Sequence, residues 1–139
     1  MIAITEQPLD LQALITEVRT DACGAVAAFL GVVRRTSSDE RPVDGLTYEA
    51  YPAMAVPEME RIVADAHERF GECTVAVVHR VGALALGEAS VAIAVGSGHR
   101  AQAFDVCEFV IDELKARVPI WKKEHYTNGD AKWQENARA

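Results

Sequence analysis

Apolar residues along the chain recur at two spacings, one typical of helices and one typical of strands. Between Leu11 and Val18 the apolar side chains share one helical face and Asp10 can cap the first turn, which predicts a short helix. A second helix should begin near Pro57, a residue suited to a first helical turn, and should end at Gly71. Its apolar face consists of residues at helical spacing, namely Met59, Ile62, Val63, Ala66 and Phe70.

The third predicted helix is the clearest of the three and covers residues 100–118. Its apolar stripe advances in steps of three and four residues, through Phe104, Cys107, Ile111, Leu114 and Val118. Pro119 ends this helix, because proline disfavours helical geometry at the residue before it and breaks the hydrogen-bond ladder.

Other apolar stretches predict strands. The run GAVAAFLGVV, residues 24–33, is apolar, small and β-branched, which predicts a buried strand. Further runs predict strands at 46–51, 73–78, 90–95 and 120–126, and the polar segment RRTSSDERPVDG after the first strand predicts a loop. Strands punctuated by helices indicate a single α/β or α+β domain over residues 1–139, with a mixed sheet and about three helices.

The composition narrows the class of protein. Half of the 139 residues are hydrophobic and a quarter are charged, which excludes intrinsic disorder and supports one core. The 14 basic and 21 acidic residues give a net charge of −7, which argues against binding to nucleic acid or anionic membranes. No apolar run reaches the length of a membrane helix and the first residues lack a signal-peptide pattern, so we expect a soluble, cytoplasmic protein.

The three cysteines do not form a metal or redox motif. Cys23, Cys73 and Cys107 are 50 and 34 residues apart, without a CxxC pair. Each lies in or beside an apolar segment, and free cysteine is among the most buried residue types. Buried structural thiols are therefore the favoured interpretation over a catalytic nucleophile.

Cations collect at three places in this acidic chain. They are Arg34 and Arg35 after the first long strand, His99 and Arg100 before the last helix, and Lys115, Arg117, Lys122 and Lys123 around Pro119. The segment SGHR resembles a strand end that leads into a helix N-terminus, where free backbone N–H groups and the helix dipole favour an anion. A phosphate or a carboxylate is the predicted guest.

Each cationic position also has a purely structural interpretation. The arginine pair can protect a strand edge from aggregation, and His99 can cap the helix. Lys115 lies where any cation stabilises the helix dipole, and one lysine of the 122–123 pair should face solvent because side chains alternate along a strand. His79 and Arg80, at a strand end, can be plain surface residues.

Five strings of residues resemble those of one family in their order and spacing. They are FLGVVR (29–34), YEAYPAMA (48–55), HRVG (79–82), SGHR (97–100) and LKARVPIWKKE (114–124). The last follows the pattern LKxRxPxWKxE, which is specific, and a weaker echo continues in GDAKWQEN (129–136). On these strings the chain resembles the MoaE family, the large, catalytic subunit of molybdopterin synthase.

The resemblance implies an α/β hammerhead fold with an added antiparallel subdomain, and a sulfurtransferase activity in molybdenum-cofactor synthesis. A small ubiquitin-like sulfur-carrier subunit (MoaD-like) presents a thiocarboxylate at its C-terminal Gly-Gly tail. The large subunit delivers that sulfur twice to cyclic pyranopterin monophosphate and forms molybdopterin. The step requires neither a metal nor a cofactor, since molybdenum is inserted later.

The same resemblance assigns site residues. The catalytic lysines match Lys115 and Lys122, and the substrate-binding positions match Arg34, His99, Arg100 and Phe29. Arg35 has no firm counterpart, and Arg138 is the candidate for a basic residue that the family takes from the C-terminal tail of a second subunit. Because His99 and Lys115 lie at opposite ends of one predicted helix, about 20 Å apart at 1.5 Å per residue, we expect the pocket to be shared between two copies.

The implied assembly is a central homodimer with one small subunit at each far end, a heterotetramer. The sequence adds one hint of self-association, the apolar stretch 83–95, which offers more hydrophobic strand than one small core covers. Two alternatives stay open: a non-enzymatic module that binds a phosphorylated ligand by charge alone, and a sulfurtransferase that uses a thiol of Cys23, Cys73 or Cys107.

Overall fold

The computed structural model describes residues 1–37 and 39–135. In this part of the chain, three helices and eight strands follow one another. They are β1 (Ile2–Thr5), α1 (Leu11–Val18), β2 (Ala25–Val32), β3 (Val43–Ala50), α2 (Pro52–Phe70), β4 (Thr74–Arg80), β5 (Gly82–Ala85), β6 (Ala89–Ser97), α3 (Arg100–Arg117), β7 (Ile120–Tyr126) and β8 (Ala131–Glu135).

The strands form two four-stranded sheets. The first has the order β1-β4-β6-β2 and is mixed, since β1 and β4 are parallel and the other pairs are antiparallel. The second has the order β5-β3-β7-β8 and is antiparallel throughout. The predicted α+β class with three helices is confirmed. None of the described helices is long and apolar enough to cross a membrane.

Helices cover both faces of the first sheet. On one face, α1 packs Leu14 and Val18 against alanines of β4 and β6, and on the other face α2 and α3 build the larger core. The inner strand β6 is therefore buried along nearly its whole length. The argument for self-association from 83–95 is wrong, because most of that stretch belongs to β6, an inner strand that is buried in the chain's own core.

The strand predicted to be buried, β2, is only half-buried. It lies at the edge of the first sheet and pairs within the described chain with β6 alone. Its inward side chains pack against α3, whereas Val26, Leu30 and Val32 are 36%, 42% and 51% exposed. An apolar composition cannot distinguish a central strand from an edge strand, so this part of the expectation was wrong.

The helices agree with their predicted bounds except at one start. The Asp10 carboxylate accepts a hydrogen bond from the Ala13 amide at 3.1 Å and caps α1 as expected. The helix α2 begins at Pro52 rather than near Pro57, because Pro52 already meets the requirement of a first helical turn. Gly71 ends α2 with a φ of 92°, a conformation that glycine adopts without strain. In α3, Phe104 is 66% exposed and does not belong to the buried stripe.

Candidate active site

A cleft of about 320 Å³ opens where the two sheets meet the C-terminal end of α3. Its walls come from the end of β2 and the segment after it, from β3 and β7, and from the last turns of α3. The cleft brings together four of the six predicted site residues, Phe29, Arg34, Lys115 and Lys122. Three of these four are cations, in a chain whose net charge is −7.

The turn at Pro119 explains how two lysines seven positions apart reach one cleft. Lys115 lies half-buried in the last turn of α3, and β7 then runs back beside the helix end. In β7 the side chain of Lys122 faces inward and is 6% exposed, whereas Lys123 faces outward with its ammonium 5.5 Å from the centre of the Trp133 ring. The expectation that one lysine of this pair faces solvent is confirmed.

The two cleft lysines have different electrostatic surroundings. Burial lowers the pKa of Lys115, and the charge of Arg34 lowers it further. Burial also lowers the pKa of Lys122, where the carboxylate of Glu124 opposes the shift and the charges of Lys115 and Arg34 reinforce it. Both amines therefore lose a proton more readily than a solvated lysine does.

Glu124 is the buried counter-charge of Lys122. It is 3% exposed and lies two residues after Lys122, on the same face of β7. Its carboxylate accepts hydrogen bonds from the Gln134 amide and, at 3.4 Å, from the Tyr126 hydroxyl. Sequence reasoning did not select Glu124 as a site residue, although its spacing of two from Lys122 in a strand was a usable signal.

His79 was also missed, and its interpretation as a surface residue is wrong. It is 1% exposed because β4 lies between β1 and β6, and its side chain lines the cleft. Its Nδ1 atom is 2.8 Å from the carbonyl oxygen of Arg80, and its ring meets the Tyr48 ring edge-on with centroids 5.0 Å apart. Burial lowers the pKa of His79 to about 4, helped by the charge of Lys115 and opposed by the Arg80 hydrogen bond.

His99 and Arg100 lie away from the cleft of their own chain. Both are exposed at the N-terminal end of α3, where β6 leads into the helix as the SGHR segment predicts. His99 occupies the N-cap position, but its side chain makes no capping hydrogen bond to the described residues. At 1.5 Å per residue, α3 places them about 20 Å from Lys115.

Two other cations of the predicted groups do not reach the cleft. Arg117 turns away from it and joins α3 to α2, through ion pairs with Glu58 at 2.7 Å and Asp65 at 2.8 Å. Arg35 is exposed and is not one of the described residues that line the cleft. Arg138 lies outside the described residues.

None of the three cysteines is among the described residues that line the cleft. Cys107 is buried in the core, and burial raises the pKa of its thiol to about 11, which makes the thiolate scarce at neutral pH. Cys23 and Cys73 are half-buried rather than fully buried. The structure therefore disfavours the alternative in which one of these thiols carries the sulfur.

Known proteins are similar to this chain in both sequence and fold. The model of the MoaE protein family matches residues 4–117. The molybdopterin synthase catalytic subunit of Thermoplasma volcanium is 40% identical over 132 residues, which cover 95% of this chain and 96% of that protein. The crystal structure of molybdopterin synthase from Staphylococcus aureus superposes with a TM-score of 0.88 at 34% identity and covers 94% of each chain.

A more distant structure shares the fold alone. It belongs to the complex of subunits 1 and 2 of molybdopterin-converting factor from Helicobacter pylori, with a TM-score of 0.78 at 23% identity, and the match covers 97% of this chain and 91% of that one. The family match and the identity to curated relatives confirm the resemblance drawn from the sequence motifs. The chain belongs to the MoaE family, the catalytic subunits of molybdopterin synthase.

Proposed function

We propose that this enzyme transfers sulfur from the C-terminal thiocarboxylate of a small ubiquitin-like carrier subunit to cyclic pyranopterin monophosphate. Two such transfers form the dithiolene of molybdopterin. The observation that carries the proposal is the convergence of Arg34, Lys115 and Lys122 in one cleft of an acidic chain. The free thiols fit a reducing compartment such as the cytoplasm.

The cleft suits the chemistry of that substrate. A cyclic phosphate is anionic, and the planar guanidinium of Arg34 can donate two hydrogen bonds to it. Lys122 adds a second positive charge at the buried wall, and Phe29 provides an apolar surface for the pterin ring system. Arg34, Phe29 and Lys122 would thus hold the substrate while its side chain is sulfurated.

The transfer itself needs proton movement. The thiocarboxylate sulfur attacks a substrate carbon that bears oxygen; as the C–S bond forms, the C–O bond at that carbon breaks and its oxygen leaves as water or with the phosphate. The product is an acyl link between carrier and substrate. Water then adds to the acyl carbon and the acyl C–S bond breaks, so sulfur stays on the substrate and the carrier leaves as a carboxylate. Lys115, with its lowered pKa, would accept the proton of that water near neutral pH, and Lys122 would stabilise the developing oxyanion.

A second copy would complete the pocket with His99 and Arg100. One helix separates them from Lys115 by about 20 Å, so a single chain cannot place all of these groups on one phosphate. Along β2, Ala25 pairs with Ser97, close to His99, whereas Phe29 to Val32 line the cleft. Antiparallel pairing of two β2 edges about a two-fold axis would therefore carry the His99 end of each copy to the cleft of the other.

The open β2 edge supports this assembly. Val26, Leu30 and Val32 are apolar and exposed along it. The H. pylori structure is a complex of two different subunits, which supports a small-subunit partner for this chain. Light scattering should give twice the 15.1 kDa of one chain, and a monomer at micromolar concentration would contradict the dimer.

Reconstitution tests the activity directly. The purified chain, a thiocarboxylated carrier and cyclic pyranopterin monophosphate should yield molybdopterin, measured as its fluorescent oxidised derivative. A variant with alanine at Cys23, Cys73 and Cys107 should keep the activity, because sulfur arrives on the carrier. Lys115→Arg should lose it, since charge without a lowered pKa cannot replace the proton acceptor. Absence of product with active carrier would overturn the proposal.

A further inference from the structure

His79 is a polar residue in an apolar position. It lies near the end of β4, between Ile4 of β1 and Val91 of β6 in the register of the sheet. Two residues earlier on the same face, Val77 belongs to the core and is 1% exposed. An aliphatic side chain would fill such a position without the desolvation cost that an imidazole carries. Packing of the first sheet therefore does not account for a histidine here.

The hydrogen bond of His79 fixes its chemical state. A carbonyl oxygen only accepts, so the Nδ1 atom that lies 2.8 Å from the Arg80 carbonyl carries the proton. The ring is uncharged near neutral pH, because it is buried and lies close to the charge of Lys115. In the neutral ring Nε2 is then an acceptor rather than a donor. The imidazole is thus held in one tautomer.

The same ring lies where three elements of the cleft meet. His79 comes from the first sheet, Tyr48 from β3 of the second sheet, and Lys115 from the end of α3, and all three side chains line the cleft. The imidazole and the Tyr48 ring meet edge to face, with an interplanar angle of 68°. Tyr48 is itself 6% exposed, so a change at His79 is transmitted to a packed neighbour rather than to solvent.

We propose that His79 is a positioning residue of the sulfur-transfer site, whose fixed neutral imidazole keeps the Tyr48 ring and the Lys115 amine in their reactive arrangement. The inference rests on the proposed function. A carboxylate at this position would hold Lys115 in its charged form, and an aliphatic residue would remove both the polar wall and the edge contact with Tyr48. A neutral, anchored imidazole avoids both effects.

Two substitutions separate positioning from packing. His79→Leu fits the apolar surroundings but removes the anchor to Arg80, and His79→Asn keeps an N–H donor for that carbonyl. We expect His79→Leu to fold, to keep its KM for cyclic pyranopterin monophosphate and to lose about 10- to 100-fold in kcat. His79→Asn should recover a large part of that loss. Val77→Ala, a buried change on the same strand outside the cleft, should lower the melting temperature but keep kcat.

Crystal structures of the variants give a readout that needs no substrate. In His79→Leu the Lys115 Nζ atom and the Tyr48 ring should move by about 1 Å, and in His79→Asn they should stay in place. Unchanged positions together with full kcat in His79→Leu would overturn the inference, as would a loss of kcat that parallels melting temperature across all three variants. If the wild-type protein makes no molybdopterin, the proposed function fails, and the displacements still decide whether His79 positions Lys115.

Discussion

The two ends of α3 carry the same kind of residue in opposite settings. At the C-terminal end, Lys115 is half-buried in a cleft that also contains Arg34 and Lys122. At the N-terminal end, His99 and Arg100 are exposed, and no ion pair or side-chain hydrogen bond to the described residues engages either of them. Under the proposed function, one chain then holds the acid–base residues of the site, and the remaining anion-binding residues come from a second copy.

Local sequence explains both settings. Pro119 ends α3 and turns the chain into β7, which brings Lys122 back beside the helix end. At the other end, only two residues separate β6 from α3, so the start of the helix presents free N–H groups and the side chains of His99 and Arg100 to solvent. Free N–H groups and the helix dipole at such an end favour an anion.

The largest expected effect comes from removing the amine at the cleft end. Lys115→Ala should lower the rate of molybdopterin formation by about 100-fold or more, because it deletes the proposed proton acceptor. The fold should persist, since a half-buried lysine contributes little to stability. Lys132→Ala, at an exposed lysine of β8, is the control and should keep both rate and melting temperature. Similar rates in the two variants would remove Lys115 from the mechanism.

A smaller effect should follow from removing the neighbouring charge. The positive charge of Arg34 lowers the pKa of Lys115 and of Lys122, so Arg34→Gln should raise both pKa values. A free amine that accepts a proton works above its pKa, and the rising limb of the pH–rate profile should therefore move to higher pH. Arg35→Gln, next in sequence but outside the described cleft lining, should leave the profile in place. Equal profiles would show that Arg34 does not tune the lysines.

The smallest effect concerns Arg117, which lies at the same end of α3 but faces α2. Its ion pairs with Glu58 and Asp65 are partly solvated, so Arg117→Ala should lower the free energy of unfolding by about 1 kcal/mol and leave the activity of the folded protein unchanged. Urea unfolding measures this. Arg61→Ala, which removes a more exposed pair with the same Glu58, should have less effect.

The pH dependence of that stabilisation has a defined sign. Hydrogen bonds from Arg61 and Arg117 lower the pKa of the Glu58 carboxyl in the folded protein. A lowered folded pKa stabilises the protein above the ordinary pKa of glutamate, and the stabilisation is lost as pH falls through the folded value. The difference between wild type and Arg117→Ala should therefore shrink in acid. A difference that is constant with pH would mean that Arg117 contributes by packing alone.

Much of the fold follows from local pattern, and the exceptions have physical causes. Long periodic segments predicted all three helices, whereas β1, β5 and β8 have four or five residues and are too short for a period to show. The burial of His79 depends on β1 and β6, which are distant in sequence from β4. The exposure of β2 likewise depends on its edge position in the sheet.

The candidate site was predictable in residue type but not in placement. The motif around Pro119 contains several cations, and alternation in a strand separates Lys122 from Lys123. The local sequence pattern does not distinguish Lys115 from Arg117, although Lys115 faces the cleft and Arg117 faces α2. That assignment requires the packing of α3 against both the sheet and its neighbouring helix.

The central claim is that each cleft is completed by the His99–Arg100 end of a second copy. A mixed dimer tests it with two inactive chains, Lys115→Ala and Arg100→Ala, co-expressed with different tags and purified as the heterodimer. One of its two pockets then combines the intact lysines of the Arg100→Ala chain with the intact His99 and Arg100 of the Lys115→Ala chain. We predict recovery to about half of the wild-type rate of molybdopterin formation, from one restored site in a two-fold assembly. No recovery in the purified heterodimer would contradict the account, since it would mean that each pocket is built from a single chain.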